Sequence, residues 1–240
     1  MKRLILAAMT VAAMTVASTA QAALAYSFTI CQGATCSVFP TNVALNTTVG
    51  DYSILAALGS GTEGLTTSIS SNVNLTVTRT GQTSASPLDI WFTVTNYTTP
   101  TGGSYDFDVS LGVTETTTST ASARGLVQYQ AWYSSTNGTL TGTTLPGGAQ
   151  ASALAGCTPP LSPLSDSCNS NPNSVIVSPG SNLFSIITLT RMNIALGDTS
   201  QYGTAAQASL TAIPEPGSMV LLGSGLLGMA AMLRRRYVRK

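Results

Sequence analysis

Apolar and polar residues alternate over much of the chain between residues 26 and 213. From residue 105 to 113 every odd position is apolar and every even position is polar or small. Residues 88–95 alternate with the apolar residues at even positions, and residues 73–78 are a shorter copy. A strand with one buried and one solvated face has this two-residue period. The pattern therefore predicts half-buried antiparallel strands.

Other segments are predicted as strands because they are rich in β-branched and aromatic residues. They are residues 37–39, 126–133, 183–190, 192–196 and 207–213. Residues 51–58 fit either a strand or a helical turn. Eight to ten short strands with little helix predict an all-β fold, an antiparallel β-sandwich with a jelly-roll-like arrangement as one option. The strand order is left open.

Turn residues lie between these segments. Asn137-Gly138 is predicted as a two-residue hairpin turn that joins residues 126–133 to a short strand near Thr139. Residues 146–172 are rich in proline, serine and asparagine and are predicted as one long loop. Residues 114–123, rich in threonine and serine, are a candidate mobile or glycosylated patch.

The N-terminus has the pattern of a secretory signal peptide. Lys2 and Arg3 precede an apolar stretch at residues 4–17, and Ala20-Gln21-Ala22 forms a small-residue cleavage site. The predicted signal peptide spans residues 1–22, with residue 25 as an alternative end. An uncleaved membrane anchor is the weaker alternative because the apolar stretch is short. The body of the protein is then residues 26–213.

The charge of this body excludes several function classes. It contains three arginines and eight acidic residues, a net charge of −5, and no lysine or histidine. Three scattered arginines do not neutralise a run of phosphates, so nucleic acid is not expected as a partner. The missing histidine and lysine remove Ser-His-Asp catalysis, histidine-based metal sites and Schiff-base chemistry. We expect no cofactor and no enzymatic activity.

Four cysteines in a chain marked for export indicate disulfides. Three pairings are possible, and proximity in the sequence favours Cys31 with Cys36 and Cys157 with Cys168. A metal site is the alternative, but no histidine is present to complete it and neither spacing is Cys-x2-Cys.

The C-terminal segment contains Gly223-Ser224-Gly225-Leu226-Leu227-Gly228, which matches the dinucleotide-binding pattern G-x-G-x-x-G. That fingerprint needs an acidic residue about twenty positions further on, and none follows Glu215. Residues 217–233 carry no charge and are predicted as a short transmembrane helix. Arg234, Arg235 and Arg236 mark its cytoplasmic side. The body is therefore expected outside the membrane in the precursor.

The order of these elements resembles the PEP-CTERM sorting signal of Gram-negative bacteria. Ile213-Pro214-Glu215-Pro216 corresponds to the Val-Pro-Glu-Pro-like motif, residues 217–233 to the apolar helix, and residues 234–240 to the arginine-rich tail. The resemblance implies an inner-membrane precursor that an exosortase, a membrane protease-transpeptidase, cleaves near Pro-Glu-Pro. It also implies a cell-surface or extracellular location and an association with exopolysaccharide and biofilm matrix. An anchor that is never cleaved is the alternative.

The body offers two weak sets of site residues. Asp106 and Asp108 project from one face of a predicted strand, about 6.5–7 Å apart at their α-carbons, and are candidates for a metal ion or for glycoside hydrolysis. Trp91 and Trp132 are candidates for stacking on sugar rings. More often, however, a tryptophan at such a position is covered by a loop or a second sheet. A secreted carbohydrate-binding or carbohydrate-active protein is therefore the alternative to a non-enzymatic matrix protein.

Overall fold

The computed structural model describes residues 23–39, 45–63, 68–81, 86–98, 103–116, 125–158, 165–180, 183–196, 198, 201–213, 223–227 and 229. The predicted signal peptide with its Ala22 site, the Pro214-Glu215-Pro216 motif and Arg234 to Arg236 lie outside these residues, as does most of the candidate patch at 114–123. Of the predicted transmembrane helix, residues 223–227 and 229 are described, and they are helical. Within the described ranges, no helix has both the length and the apolar character to cross a membrane.

The described part of the body consists of β-strands joined by turns and loops. Its fourteen strands are β1 (Ala25–Gln32), β2 (Thr35–Phe39), β3 (Leu45–Val49), β4 (Tyr52–Glu63), β5 (Ser68–Arg79), β6 (Leu88–Tyr97), β7 (Tyr105–Thr116), β8 (Leu126–Ser134), β9 (Gln150–Ala151), β10 (Ala155–Cys157), β11 (Ser165–Ser170), β12 (Val175–Val177), β13 (Phe184–Asn193) and β14 (Gln201–Ala212).

These strands form two antiparallel sheets. The first sheet has the order β10-β8-β13-β6-β1-β2, with β9 also paired to β8. The second has the order β11-β7-β14-β5-β4-β3, with β12 also paired to β7. Apolar side chains from the inner faces of both sheets form one buried cluster. The predicted antiparallel β-sandwich is confirmed at this level.

The alternation predicted for β7 is confirmed. Its odd positions, from Tyr105 to Val113, are buried, and its even positions are half-buried or exposed. In β6 the even positions, Leu88, Ile90, Phe92 and Val94, enter the core as predicted. The odd positions of β6 from Trp91 to Thr95 are also buried, so part of the outer face of the first sheet is covered. Alternation identifies the inner face but does not show whether the outer face is wet.

Residues 51–58, predicted as either a strand or a helical turn, belong largely to β4. β13 covers most of the predicted strand at 183–190 but only the first two residues of the one predicted at 192–196. The predicted long loop at 146–172 is wrong, because it contains β9, β10 and β11. Such short edge strands need only one hydrogen-bonded neighbour and carry no periodic signal.

The hairpin predicted at Asn137-Gly138 is also wrong. Asn137 has a left-handed φ of 52°, as such a turn requires, but no strand follows it, and β8 pairs with β9 instead. The Asn137 side chain bonds to Asn96, which also has positive φ: its Oδ1 accepts from the Asn96 backbone N–H at 2.7 Å, and its Nδ2 donates to the Asn96 side chain at 2.9 Å. The asparagine therefore fixes a tertiary contact rather than a hairpin.

Both favoured disulfides are present. Cys31 and Cys36 lie directly opposite each other in the β1–β2 hairpin. Cys157 in β10 of the first sheet is bonded to Cys168 in β11 of the second sheet. The second disulfide therefore ties the two sheets together at one edge of the sandwich.

Candidate functional site

The predicted carboxylate pair lies on the outer face of the second sheet. Asp106 and Asp108 are both half-buried, and the Ser174 hydroxyl donates a hydrogen bond to Asp106 Oδ1 at 3.1 Å. Partial burial, followed by the negative charge of Asp106, raises the pKa of Asp108. No group of three or more potential metal ligands occurs among the described residues. The metal and hydrolytic roles of the pair stay predictions.

The structure brings the two tryptophans together on the outer face of the first sheet. Trp91 and Trp132 have ring centroids 5.4 Å apart and planes inclined by 32°. Trp91 is only 7 % exposed, and its indole N–H is buried without a hydrogen-bond partner. Trp132 is half-buried. The ring of Trp91 is therefore largely withdrawn from solvent, and only Trp132 is positioned to offer part of its surface to a ligand.

A small pocket of about 170 Å³ opens on the same outer face. Gln128 and Gln130 from β8 and Leu189 and Arg191 from β13 line it, together with Leu154. Leu189 is paired with both Trp91 and Gln130, so the pocket adjoins the tryptophan pair. The Arg191 guanidinium donates two hydrogen bonds to the Asp89 carboxylate, at 2.6 and 2.7 Å, and these raise the pKa of Arg191.

A larger groove of about 660 Å³ runs across the outer face of the second sheet. It crosses β11, β7, β14 and β5 along two rows of paired residues. One row is Asn169, Gly112, Ala205 and Asn74, and the next is Ser167, Thr114, Gly203 and Thr76. Sequence reasoning missed this groove, because its residues come from four strands and only their register brings them together.

A cluster of buried polar groups lies at the end of the sandwich where β4 begins and β5 ends. Arg79, 1 % exposed, is 3.5 Å from the Asp51 carboxylate and lies over the Tyr52 ring. Its guanidinium also donates to the backbone oxygens of Gly81 and Ile194. These groups are enclosed and bonded to one another. We therefore interpret the cluster as structural: it holds the β4–β5 hairpin against the segment that follows β13.

A second buried cluster surrounds Tyr202 on β14. The Tyr202 hydroxyl donates to Asp198 Oδ2 at 2.7 Å and accepts the Gly125 backbone N–H at 2.8 Å. Burial raises the pKa of Tyr202. Both the tyrosine and Asp198 are 0 % exposed, so this cluster offers no surface to a ligand.

The last strand of the body runs up to the C-terminal segment. Ala212 pairs with Tyr105, and the Ile213 backbone N–H donates to the Ser104 carbonyl at 3.0 Å. Residues 212–236 match the family model of the PEP-CTERM protein-sorting motif. The chain carries a PEP-CTERM sorting motif. The resemblance inferred from the sequence is therefore confirmed.

The PEP-CTERM motif implies an exported protein whose membrane-anchored precursor is processed by an exosortase. The match covers the end of the chain and none of β1 to β13. Comparisons with curated proteins and with solved structures gave no significant match. The role of the body must therefore be argued from its own residues.

Proposed function

We propose that this protein is a non-enzymatic component of the cell surface or extracellular matrix, associated with exopolysaccharide and delivered there through its PEP-CTERM motif. The motif at residues 212–236 is the observation that carries the proposal. The motif begins at the last residue of β14, so strands β1 to β13 all precede it in the chain. Cleavage near Pro-Glu-Pro then releases the sandwich intact.

The chemistry of the body supports a role without catalysis. Between residues 26 and 213 the chain has no histidine and no lysine, the residues that most often supply general bases and activated amines. Its two disulfides suit an oxidising compartment outside the cytoplasm. Hydroxyl and amide side chains are frequent on the outer face of the second sheet, which suits contact with hydrated polymers.

The sorting proposal is tested by the intact mass of the mature protein. We expect a species that begins near residue 23 and has lost the segment after Pro-Glu-Pro. A variant with Pro214→Ala and Pro216→Ala is expected to retain its C-terminus, because the extended, proline-fixed segment is lost. A wild-type protein that still ends at Lys240 would leave an uncleaved anchor and contradict the proposal.

A carbohydrate-binding protein is the second candidate function. The observation in its favour is the Trp91–Trp132 pair beside a pocket with glutamine amides and an arginine–aspartate pair. Aromatic rings flanked by fixed polar groups are suited to sugars. We expect Trp132→Ala to abolish glycan binding through this face and Trp132→Phe to retain part of it. Equal binding by both variants would contradict this candidate.

A further inference from the structure

The groove on the outer face of the second sheet offers hydroxyl and amide groups. Asn74, Thr114 and Asn169 are exposed and Thr76 is half-buried, and all four line it. An amide supplies both donors and acceptors, and a hydroxyl supplies one donor and two acceptor lone pairs. A sugar hydroxyl has the same dual capacity. Such side chains therefore pair with sugar hydroxyls without a change of charge or protonation.

The charge of the groove excludes the other ligand classes. No arginine or lysine lines it, so a phosphate or uronate chain finds no counter-charge there, and the body is itself acidic. No carboxylate lines it, so a cation finds no anionic ligand. It also lacks the aromatic, methionine and arginine side chains enriched at protein interfaces. The uncharged, polar lining of the groove therefore favours an uncharged ligand that is rich in hydroxyl groups.

The shape of the groove fits an extended chain. It crosses four neighbouring strands, and three strand spacings give a length of about 14 Å. Gly112, Gly203 and Ala205 form its floor, so a ligand approaches the backbone of β7 and β14 closely. Its volume of about 660 Å³ lies within the range of ordinary ligand sites.

From this lining, charge and shape we propose that the groove binds a linear, neutral glycan. The apolar faces of the sugar rings lie over the floor, and Asn74 and Asn169 at its two ends hydrogen-bond to ring hydroxyls. The inference rests on the proposed function for its biological setting, and it deepens that function by assigning the surface that contacts polysaccharide. It places that contact on the opposite sheet from the tryptophan pair.

The test fills the floor without harming the fold. A Cβ at Gly203 would lie 3.6 Å from the Thr114 carbonyl oxygen, an ordinary contact, so the backbone accepts a side chain there and Gly203→Thr is the test variant. Threonine favours strands more than glycine does, so stability should be equal or higher while the side chain obstructs the groove. Gly156→Thr is the matched control, since it lies on β10 of the first sheet and its Cβ meets only Gln128 Cγ at 4.0 Å.

The binding partners are short neutral oligosaccharides (β-1,4-glucan, β-1,4-mannan and α-linked glucans) and a uronate oligosaccharide of equal length. Binding to the exported full chain is measured by titration calorimetry, in a detergent without a sugar headgroup. We expect at least one neutral oligosaccharide to bind. Gly203→Thr should weaken it by about 10-fold or more and Asn74→Ala by about 3- to 10-fold, with Gly156→Thr unchanged.

Four results overturn the inference, and the first three are that no neutral oligosaccharide binds, that only the uronate binds, or that Gly203→Thr binds as the wild type does. Loss of binding in Gly156→Thr alone moves the contact to the first sheet and also overturns it. Thermal melts of each variant confirm that the fold is kept. The intact mass is measured in parallel, so that failed C-terminal processing, which counts against the sorting proposal, is read separately from failed glycan binding.

Discussion

Removal of the Cys157–Cys168 disulfide is expected to cost about 3 kcal/mol of unfolding free energy. The two cysteines are 11 residues apart, so the bond closes a loop of about 12 residues. The loop-entropy relation gives about 3 kcal/mol for a loop of that size at 25 °C, through a larger number of unfolded conformations. For a body of this length the melting temperature should fall by about 6–12 °C.

The other disulfide supplies the matched control. Cys31 and Cys36 are 5 residues apart, and the same relation gives about 2 kcal/mol for their loop. The two bonds thus differ little in chain entropy but differ in what they join. One closes a hairpin within the first sheet, whereas Cys157–Cys168 holds the short edge strand β10 to the opposite sheet. Its loss should therefore also loosen one edge of the sandwich.

The assay is urea unfolding of the two double alanine variants, combined with native-state hydrogen exchange. In Cys157→Ala/Cys168→Ala, the amides of β10 and β11 should lose protection beyond the global change, because edge strands open locally at low cost. In Cys31→Ala/Cys36→Ala they should follow global stability. An unfolding midpoint equal to the wild type in the first variant, or equal β10 protection in both, would refute the reasoning.

Three further predictions concern single residues. Arg79→Met should cost about 3–5 kcal/mol in chemical unfolding, because the Asp51 carboxylate stays buried without the guanidinium, and adding Asp51→Asn should recover part of the loss. Gly61→Ala should lower the unfolding free energy by about 1–3 kcal/mol in thermal melts, since its Cβ would lie 2.7 Å from the Tyr97 hydroxyl oxygen. Gly203→Ala is the control and should change the unfolding free energy by no more than about 0.5 kcal/mol. The pKa of Asp108 is raised in the folded state, so ionisation of its carboxyl disfavours folding. The wild type should therefore lose stability relative to Asp108→Asn as the pH rises from about 4 through the raised pKa. Parallel curves of unfolding free energy against pH for the two proteins would contradict this.

The sequence predicts the inner faces of the central strands because burial selects apolar residues at every second position. In β7 this signal is complete from Tyr105 to Val113. It fails for the edge strands β9, β10 and β11, which are short and depend on a neighbour that is distant in sequence. It also fails at Trp91, because alternation carries no information about what covers an outer face.

The groove on the outer face of the second sheet could not be predicted from the sequence. Gly112 and Gly203 belong to no sequence motif, and Gly112 occupies one of the small positions of the β7 alternation. They become a floor because β7 and β14 pair in one register, with Gly112 opposite Ala205 and Gly203 opposite Thr114. A slip of one residue would turn both glycines to the other face. Register depends on all paired strands together, so no local pattern encodes it.

The positions of the two chain ends connect the sandwich to its sorting motif. The Asn96 side chain, near the end of β6, donates to the Ala23 carbonyl at 3.0 Å, and Ile213 donates to Ser104, directly before β7. Since β6 runs towards this end and β7 runs away from it, both ends of the body emerge at the same end of the sandwich. A precursor can therefore hold the predicted signal peptide and the sorting segment in one membrane without unfolding the body. Gly112 lies seven residues along β7, about 24 Å from that end, so the middle of the proposed groove lies well away from both ends of the body. We therefore expect the groove to bind ligand equally well whether or not the C-terminal segment has been removed.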